Sequence, residues 1–310
     1  MIMSKALALP KVLRIEPASS CNLACSHCPT GTVDIARTVM SEDVFDRILE
    51  DISGSSEDIK VVVLYHGGEP LLNKDFFRMV TDVREILPDA HLKTVSNGMA
   101  LTKKNVASIL ESSLDAVEFS LDAESAAQSQ FIRRNSDTEK IVKNIKHLLR
   151  EKKRTNSSLS VAIATTQFVA PDITFPISAA PVPKWLREIF SEDEVPFKTT
   201  WAMRWPHMLV DGFDLLRDPS GKDLTECDHV ENTITVRADG EVVPCCYDLT
   251  TKLSMGNINN QSLLEIWNGK KYARLRESFR EKKYIGICSK CAVVKPPEYL
   301  IPTYPDLICS

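Results

Sequence analysis

Residues 21–29 read CNLACSHCP and hold three cysteines, Cys21, Cys25 and Cys28, separated by three and then two residues. They directly follow residues 12–16, VLRIE, which are predicted to form the first strand. Three thiolates this close together can each bind one iron of a cubane cluster and leave the fourth iron without a protein ligand. A zinc site would need a fourth ligand, and the only local candidate, His27, is awkwardly placed directly beside Cys28. The spacing therefore favours an iron–sulfur cluster and leaves zinc as the alternative.

The composition places the rest of the chain in the globular class. Of 310 residues, 43% are hydrophobic and 26% are charged, and the formal net charge is −4. No long basic block stands out, so we expect no nucleic-acid partner. No apolar stretch reaches the 18 or so residues that cross a bilayer, so we expect no membrane partner and a cytoplasmic location. Nine cysteines in such a chain point to metal binding or catalysis rather than to disulfides.

Outward from the cysteine motif, strand and helix patterns alternate. Strands are predicted at 12–16, 61–65, 91–96, 116–121 and 159–165, and helices at 41–51, 73–87, 102–111 and in a long stretch that ends at Arg154. Repeated strand–helix units imply an α/β fold with a parallel sheet, open or barrel-like, and with its chemistry at the carboxyl ends of the strands. Prolines then interrupt the pattern, so we divide the chain into a core at 1–170, a connecting segment with the last barrel elements at 171–217, and a second module at 218–310.

The motif at 21–29 resembles the signature of the radical S-adenosylmethionine (radical SAM) superfamily. Three further marks of that family follow successive predicted strands: Gly67-Gly-Glu-Pro70, Ser96-Asn-Gly98 and Ser120-Leu-Asp122. The resemblance covers residues 12 to about 165 and implies a partial (β/α)6 TIM-like barrel. It also implies that a [4Fe-4S] cluster binds S-adenosyl-L-methionine (SAM) through its open iron and cleaves it reductively to a 5'-deoxyadenosyl radical.

The resemblance assigns roles to individual residues. Cys21, Cys25 and Cys28 would ligate the cluster, and Gly67, Gly68 and Glu69 would bind the methionine amino end. A glycine pair permits close approach to a ligand, and a carboxylate suits an ammonium group. His27 occupies the position of an aromatic residue beside the adenine, Ser120 is expected at the methionine carboxylate or ribose, and either Arg133 or Arg134 is a further candidate partner for the carboxylate. Taken alone, the glycines also suit an ordinary turn and the arginines a charged surface.

A second cysteine group resembles the start of the SPASM auxiliary-cluster domain. It consists of Cys227, Cys245, Cys288 and Cys291, with Gly240 five residues before Cys245. No further closely spaced pair follows, which points to the shortened twitch form with one auxiliary [4Fe-4S] cluster. By spacing alone, a four-thiolate zinc site is an equal alternative. We also predict a hairpin strand at 241–243, an amphipathic helix at 262–281 and a free terminal thiol at Cys309.

Two residues are candidates for contact with the substrate. Cys246 follows a predicted ligand and is interpreted as a hydrogen-atom donor or a proton acceptor, or else as a small packed residue. His66 precedes the glycine pair and faces the pocket by analogy, although a lone histidine is as often structural. Arg204 and Trp205, within 201–207, either line the substrate end or pack between domains.

The layout most resembles family members that oxidise an aminocyclitol alcohol and carry one auxiliary cluster. This implies hydrogen abstraction from a carbinol carbon, loss of the hydroxyl proton and transfer of the second electron to the auxiliary cluster. No Gly-x-Gly-x-x-Gly fingerprint of a nicotinamide enzyme is present. The expected partners are a hydroxyl-bearing small molecule and an electron donor such as flavodoxin or ferredoxin. The alternatives are an epimerase that uses Cys246, a peptide-modifying maturase and a non-catalytic iron–sulfur or zinc scaffold.

Overall fold

The computed structural model describes residues 7–54, 57–175, 177–221 and 223–303, so the prediction for Cys309 lies outside the described residues. The chain forms two compact units, and each is assembled from segments that are distant in the sequence. The first unit comprises residues up to 20, 36–93 and 224–289, and the second comprises 21–35, 94–223 and 290 onward.

The secondary structure alternates in most of the chain as the sequence predicts. In chain order the strands and helices are β1 (Val12–Ile15), α1 (Pro29–Thr32), α2 (Glu42–Ile52), β2 (Val61–Leu64), α3 (Phe76–Ile86), β3 (His91–Ser96), α4 (Lys103–Glu111), β4 (Ala116–Ser120), α5 (Ala126–Ile132), α6 (Thr138–Thr155), β5 (Ser160–Gln167), α7 (Lys184–Ile189), β6 (Phe197–Trp201), β7 (Phe213–Arg217), α8 (Asp228–Asn232), β8 (Thr233–Val236), β9 (Glu241–Val243), β10 (Gly256–Asn257), α9 (Leu263–Trp267), α10 (Lys270–Arg280) and β11 (Glu298–Pro302). This confirms the predicted α/β class.

A parallel sheet organises the first unit. Strand β1 pairs in parallel with β2 on one side and with β8 on the other. Strand β2 pairs in parallel with residues 91–93 of β3, and β9 and β10 extend the sheet beyond β8 by antiparallel pairing. Leu13 and Ile15 are fully buried, which anchors β1 in the middle of this arrangement. Because parallel strands end at the same edge, the residues after β1, β2 and β8 lie close together.

The second unit has its own strand pairings. Strands β4, β5 and β6 pair in parallel, and β7 pairs with β11 in an antiparallel ladder. Helices α4 and α5 both pack against α6. Ala202, Met208, Phe213 and Leu300 form a small buried cluster, and Trp205 packs against it. Arg204 donates to the Glu298 carboxylate over 2.9 Å. Of the two predicted substrate-end residues, Trp205 therefore has a packing role within the unit and Arg204 has an ion-pair role.

Helix starts follow the predicted caps in two cases and differ from the prediction in one. The side chains of Ser41 and Thr102 accept hydrogen bonds from Val44 and Asn105 and so cap α2 and α4. The predicted helix at 73–87 instead begins at Phe76. A short 3-10 turn precedes it, and the Asn73 side chain accepts from the backbone N–H of Asp75.

Two long predicted helices are each broken into two. The stretch ending at Arg154 is divided into α5 and α6, and Asn135 between them has φ of 70°, which a continuing helix does not permit. The helix predicted at 262–281 is divided into α9 and α10 at Gly269, which caps α10. The hairpin strand at 241–243 is confirmed, and Gly240 in its turn has φ of 80°.

Strand β8 was missing from the predicted elements, although its sequence TITV is typical of a strand. All four of its residues are buried. Among the helices of the described residues, none combines the length and the apolar character that crossing a membrane requires.

Candidate active site

The loop that carries the three N-terminal cysteines is held by the end of α5, within the second unit. The backbone N–H groups of Ala24 and Ser26 donate to the carbonyls of Arg134 (3.0 Å) and Ile132 (2.9 Å). The Arg134 side chain in turn donates to the carbonyls of Ala24 (2.8 Å) and Gly31 (3.3 Å). Arg134, predicted as a possible ligand contact, therefore fixes the backbone of the cysteine loop.

Gly31 packs directly against the same loop. A Cβ atom added to Gly31 would lie 2.3 Å from the carbonyl oxygen of Cys25 and 2.5 Å from the carbonyl carbon of Ala24. Both contacts are with backbone, which cannot swing aside. Cys28 directly precedes α1, and its carbonyl accepts from the N–H of Gly31 (3.0 Å). Only glycine fits here, a requirement that the sequence analysis missed.

The donor set suits an iron–sulfur cluster. Cys21, Cys25 and Cys28 are half-buried thiols, and N–H donors approach the sulfur of Cys21 from Leu23 at 3.5 Å and from the Asn97 amide at 3.8 Å. Burial raises the pKa of Cys25 to about 12, although the charge of Arg133 opposes the shift. Within the described residues, no three His, Cys, Asp or Glu side chains form a site for a single metal ion.

Asp122 organises the polar groups beside the cysteine loop. Its Oδ2 accepts from Arg133 Nη1 at 2.6 Å and lies 3.6 Å from His27 Nε2, and its Oδ1 accepts from the N–H of Thr166 at 2.9 Å. Burial raises the pKa of Asp122, but the charges of Arg133 and His27, together with the hydrogen bonds from Arg133 and Thr166, outweigh it, and the net shift is downward. Arg133 is thus held by a carboxylate of the protein.

Two nitrogens of this cluster remain without a partner. His27 Nδ1 and Arg133 Nε are buried and make no hydrogen bond, and burial lowers the pKa of His27. The His27 ring also meets Phe168 edge to face at 5.7 Å between centroids. Ser120 is the half-buried last residue of β4, two positions before Asp122. Unsatisfied buried nitrogens of this kind suit a polar ligand.

In the first unit, the segment Gly67-Gly68-Glu69 packs tightly on residues 18–20. A Cβ atom on Gly68 would lie 2.3 Å from the carbonyl oxygens of both Ala18 and Ser20. Glu69 is 1% exposed, its N–H donates to Ser20, and its Oε1 accepts from the N–H of Leu71. The carboxylate that is predicted to hold an ammonium group therefore also caps the following 3-10 turn.

Glu16, which the sequence analysis placed only in a strand, joins three strand ends. Its Oε1 accepts from the N–H of Gly67 at 2.9 Å, and its Oε2 accepts from the N–H of Ala238 at 3.0 Å. Arg237 Nε lies 3.5 Å from the same Oε2. Glu16 is 1% exposed, and a glutamate at the end of an apolar strand was the available signal that it has buried partners.

Three of the four predicted auxiliary ligands lie in the first unit and one in the second. The carbonyl of Cys227 accepts from residues of α8, and Cys245 and Cys288 are 7% and 5% exposed. Cys291, 7% exposed, belongs to the second unit. Asp248 fixes the loop after Cys245, because its carboxylate accepts from the backbone N–H groups of residues 250, 252 and 253.

Cys246 and His66 differ in their surroundings. The Cys246 sulfur lies 3.8 Å from His229 Nε2, and this hydrogen bond raises the pKa of His229. Burial opposes ionisation of Cys246, but His229 and the charge of Arg14 lower its pKa overall. His66 is 2% exposed, and neither of its ring nitrogens has a hydrogen-bond partner. Sequence reasoning missed His229, which has no distinguishing spacing.

Known families match both cysteine groups. The profile of the radical SAM superfamily matches residues 15–165, and that of the SPASM iron–sulfur cluster-binding domain matches residues 227–292. Residues 15–165 therefore form a radical SAM domain, and residues 227–292 form a SPASM domain. A radical SAM domain implies a [4Fe-4S] cluster and SAM, and a SPASM domain implies auxiliary iron–sulfur binding.

Similar proteins align with most of the radical SAM chain. It is 27% identical, over 91% of its own length and 87% of the relative, to the tungsten-containing aldehyde ferredoxin oxidoreductase cofactor-modifying protein of Pyrococcus furiosus. It is 22% identical, over 90% and 92%, to the S-adenosyl-L-methionine-dependent 2-deoxy-scyllo-inosamine dehydrogenase of Niallia circulans. The crystal structure of BtrN with AdoMet and 2-DOIA is similar with a TM-score of 0.56 and 18% identity over 88% of each chain, which supports the fold.

Gly31→Ala is expected to displace the cysteine loop, because its methyl group overlaps the backbone of Cys25. Iron and sulfide per reconstituted chain should fall from about eight of each to about four. Gly54→Ala is the matched control, because a Cβ at Gly54 meets nothing within 4 Å. Equal iron content in both variants would contradict the assigned contact.

Asp122→Asn is expected to destabilise the protein by about 3 to 5 kcal/mol, because it leaves the buried charge of Arg133 without its partner. Asp82→Asn removes an exposed pair with Arg78 and should cost less than about 1 kcal/mol. Urea unfolding followed by circular dichroism measures both. Similar midpoints for the two variants would show that the buried pair does not stabilise the fold.

Proposed function

We propose that this radical SAM protein oxidises a carbinol carbon of a hydroxyl-bearing small molecule of the sugar or aminocyclitol kind, with the auxiliary cluster as electron acceptor. One hydrogen atom leaves the carbon, the hydroxyl group loses a proton, and one electron goes to the acceptor, so that an alcohol becomes a carbonyl group. The observation that carries the proposal is the alignment with a dehydrogenase over nine-tenths of both chains, together with the matches to the radical SAM and SPASM families. Flavodoxin or ferredoxin would supply the initiating electron.

Different residues of this chain would bind the cluster and the separate parts of SAM. Cys21, Cys25 and Cys28 would hold the cluster that, when reduced, supplies the electron for cleavage of SAM to the hydrogen-abstracting radical. Gly67, Gly68 and Glu69 would receive the methionine amino end, and the close packing of Gly68 on the backbone of residues 18–20 would hold this segment in place. In the second unit, Ser120, His27 and Arg133 would offer polar groups to the remainder of SAM; buried nitrogens of the last two lack partners.

The auxiliary site would be formed by the four cysteines of the second group, Cys227, Cys245, Cys288 and Cys291. Cys246 and His229 would then accept the proton that the hydroxyl group loses. The 3.8 Å contact gives Cys246 an imidazole to which a proton can pass, and Cys246 is half-buried rather than sealed in the core. His66 would face the substrate, since both of its ring nitrogens are available for hydrogen bonds.

Epimerisation is the second candidate, and the half-buried thiol of Cys246 favours it. In that reaction Cys246 returns a hydrogen atom to the opposite face of the carbon radical, and the resulting thiyl radical is reduced to the thiol by one electron from the flavodoxin or ferredoxin donor and a proton from solvent. The substrate undergoes no net oxidation. The Pyrococcus relative modifies a cofactor according to its name, which adds cofactor precursors to the small molecules to be tested.

Replacement of Cys21, Cys25 and Cys28 by alanine is expected to abolish 5'-deoxyadenosine formation, because the cluster loses all its protein ligands. The anaerobically reconstituted wild type should contain about eight iron atoms per chain, and the triple variant about four. Liquid chromatography of the nucleoside product and iron analysis provide the measurements. Cleavage of SAM by the triple variant would refute the ligand assignment.

Turnover in deuterated water separates the two candidate reactions. Oxidation predicts a product two hydrogens lighter than the substrate, and Cys246→Ala should slow its formation without changing its mass. Epimerisation predicts an isomeric product that gains one deuterium from the exchangeable thiol, and this product should disappear in Cys246→Ala. Mass spectrometry of the product distinguishes the outcomes, and deuterium incorporation that depends on Cys246 would reject the dehydrogenase.

A further inference from the structure

Buried polar atoms without hydrogen-bond partners gather around the ends of β1, β2 and β8 in the first unit. They are Arg14 Nε, both ring nitrogens of His66, Thr235 Oγ1 and Arg237 Nε. His66, Thr235 and Arg237 are 2%, 0% and 4% exposed. Native proteins leave few buried polar groups unsatisfied, so such a concentration indicates a place that a polar ligand fills.

Strand pairing brings these groups together. Arg14 pairs across the sheet with Val63 of β2 and with Thr235 of β8, and directly paired residues point to the same face. Arg14 Nη1 donates to the carbonyl of Tyr65, the residue before His66, at 3.4 Å. Arg237 follows the last residue of β8. The same sheet face and strand ends therefore present two guanidinium groups and an imidazole.

The positive charge of this group exceeds the negative charge within it. Glu16 is the carboxylate of the cluster, and its two oxygens accept from the N–H groups of Gly67 and Ala238, with Arg237 3.5 Å away. Arg14 forms no ion pair with an Asp or Glu side chain of the described residues, and its one hydrogen bond goes to a neutral carbonyl. A partly buried cation without a counter-ion is unfavourable, and an anionic ligand removes that cost.

The state of the neighbouring His66 is consistent with an excess of positive charge around Arg14. Burial, together with the charges of Arg14 and Arg237, lowers the pKa of His66 well below its ordinary value, so His66 is neutral and offers one donor and one acceptor.

We propose that the substrate carries an anionic oxygen group, a phosphate or a carboxylate, that Arg14 binds with His66 as a neutral hydrogen-bonding partner. This inference rests on the proposed function, since it names the substrate class of the same site. Among the proposed sugar- or aminocyclitol-like substrates it favours those that carry an acid or a phosphate, because an ammonium group placed against Arg14 is repelled. The favoured substrate is a hydroxyl-bearing acid or phosphate ester.

Isothermal titration calorimetry of the anaerobic, reconstituted protein with SAM present tests the proposal. The probes share a sugar ring and differ in charge: glucose 6-phosphate, glucuronate, glucose and glucosamine. A hydrogen-bonded charge pair corresponds to about tenfold or more in affinity, so both anions should bind at least about tenfold more tightly than glucose, and glucosamine least tightly. The tighter of the two anions identifies phosphate or carboxylate.

Substitutions test whether Arg14 is the source of the preference for anions. Arg14→Gln should remove the preference for the anions over glucose, and Arg14→Lys should restore part of it. Arg47→Gln, an exposed arginine on α2 in the same unit, should retain the full preference. Circular dichroism and iron content establish that each variant is folded and loaded.

Three results would overturn the proposal: equal affinity for anions and glucose, an anion preference that survives Arg14→Gln, or an anion that competes with SAM and so occupies the place of its carboxylate. Formation of 5'-deoxyadenosine from SAM is measured separately in the same preparation. If anion selectivity persists while SAM stays intact, the proposed reaction fails and the anion site stands.

Discussion

The buried carboxylate of Glu16 is the interaction on which the first unit depends. A carboxylate that is 1% exposed requires donors, and this one obtains them from the backbone of Gly67 and of Ala238, after the ends of β2 and β8. The glycine segment after β2 is thereby held by the hydrogen bond from Gly67 to Glu16, and Gly68 packs against residues 18–20. The geometry of a predicted ligand-binding segment is thus determined by a residue that touches no ligand.

The second unit fixes its cysteine loop by a similar use of backbone. Carbonyls at the end of α5 accept from the loop, the guanidinium of Arg134 bridges two loop carbonyls, and Gly31 leaves no space between them. Cysteines on a loop so constrained need little rearrangement when they bind a cluster. Preorganisation of this kind is what a ligand shell requires, because a mobile loop loses conformational entropy on binding.

The sequence predicted the fold class and the order of the core strands because hydrophobic periodicity is local and regular from residue 12 to 165. The cysteine groups were also predictable, since their spacing is itself the signal. Asp122, Glu16 and His229 could not be assigned roles in this way. Each acts through a partner distant in the chain, such as Ala238 for Glu16, and no local pattern reports such a pairing. The breaks at Asn135 and Gly269 had local signals instead, because asparagine tolerates a left-handed φ and glycine has low helix propensity.

Strand β8 joins β1 although it is synthesised more than two hundred residues later. Until then, one side of β1 lacks its hydrogen-bonding neighbour and presents an apolar strand with open backbone groups. Such long-range pairing slows folding and leaves the nascent chain vulnerable to self-association. A fragment that ends before residue 233 would leave one edge of β1 permanently unpaired. The C-terminal segment therefore completes the hydrogen bonding of β1 and also carries the second cysteine group.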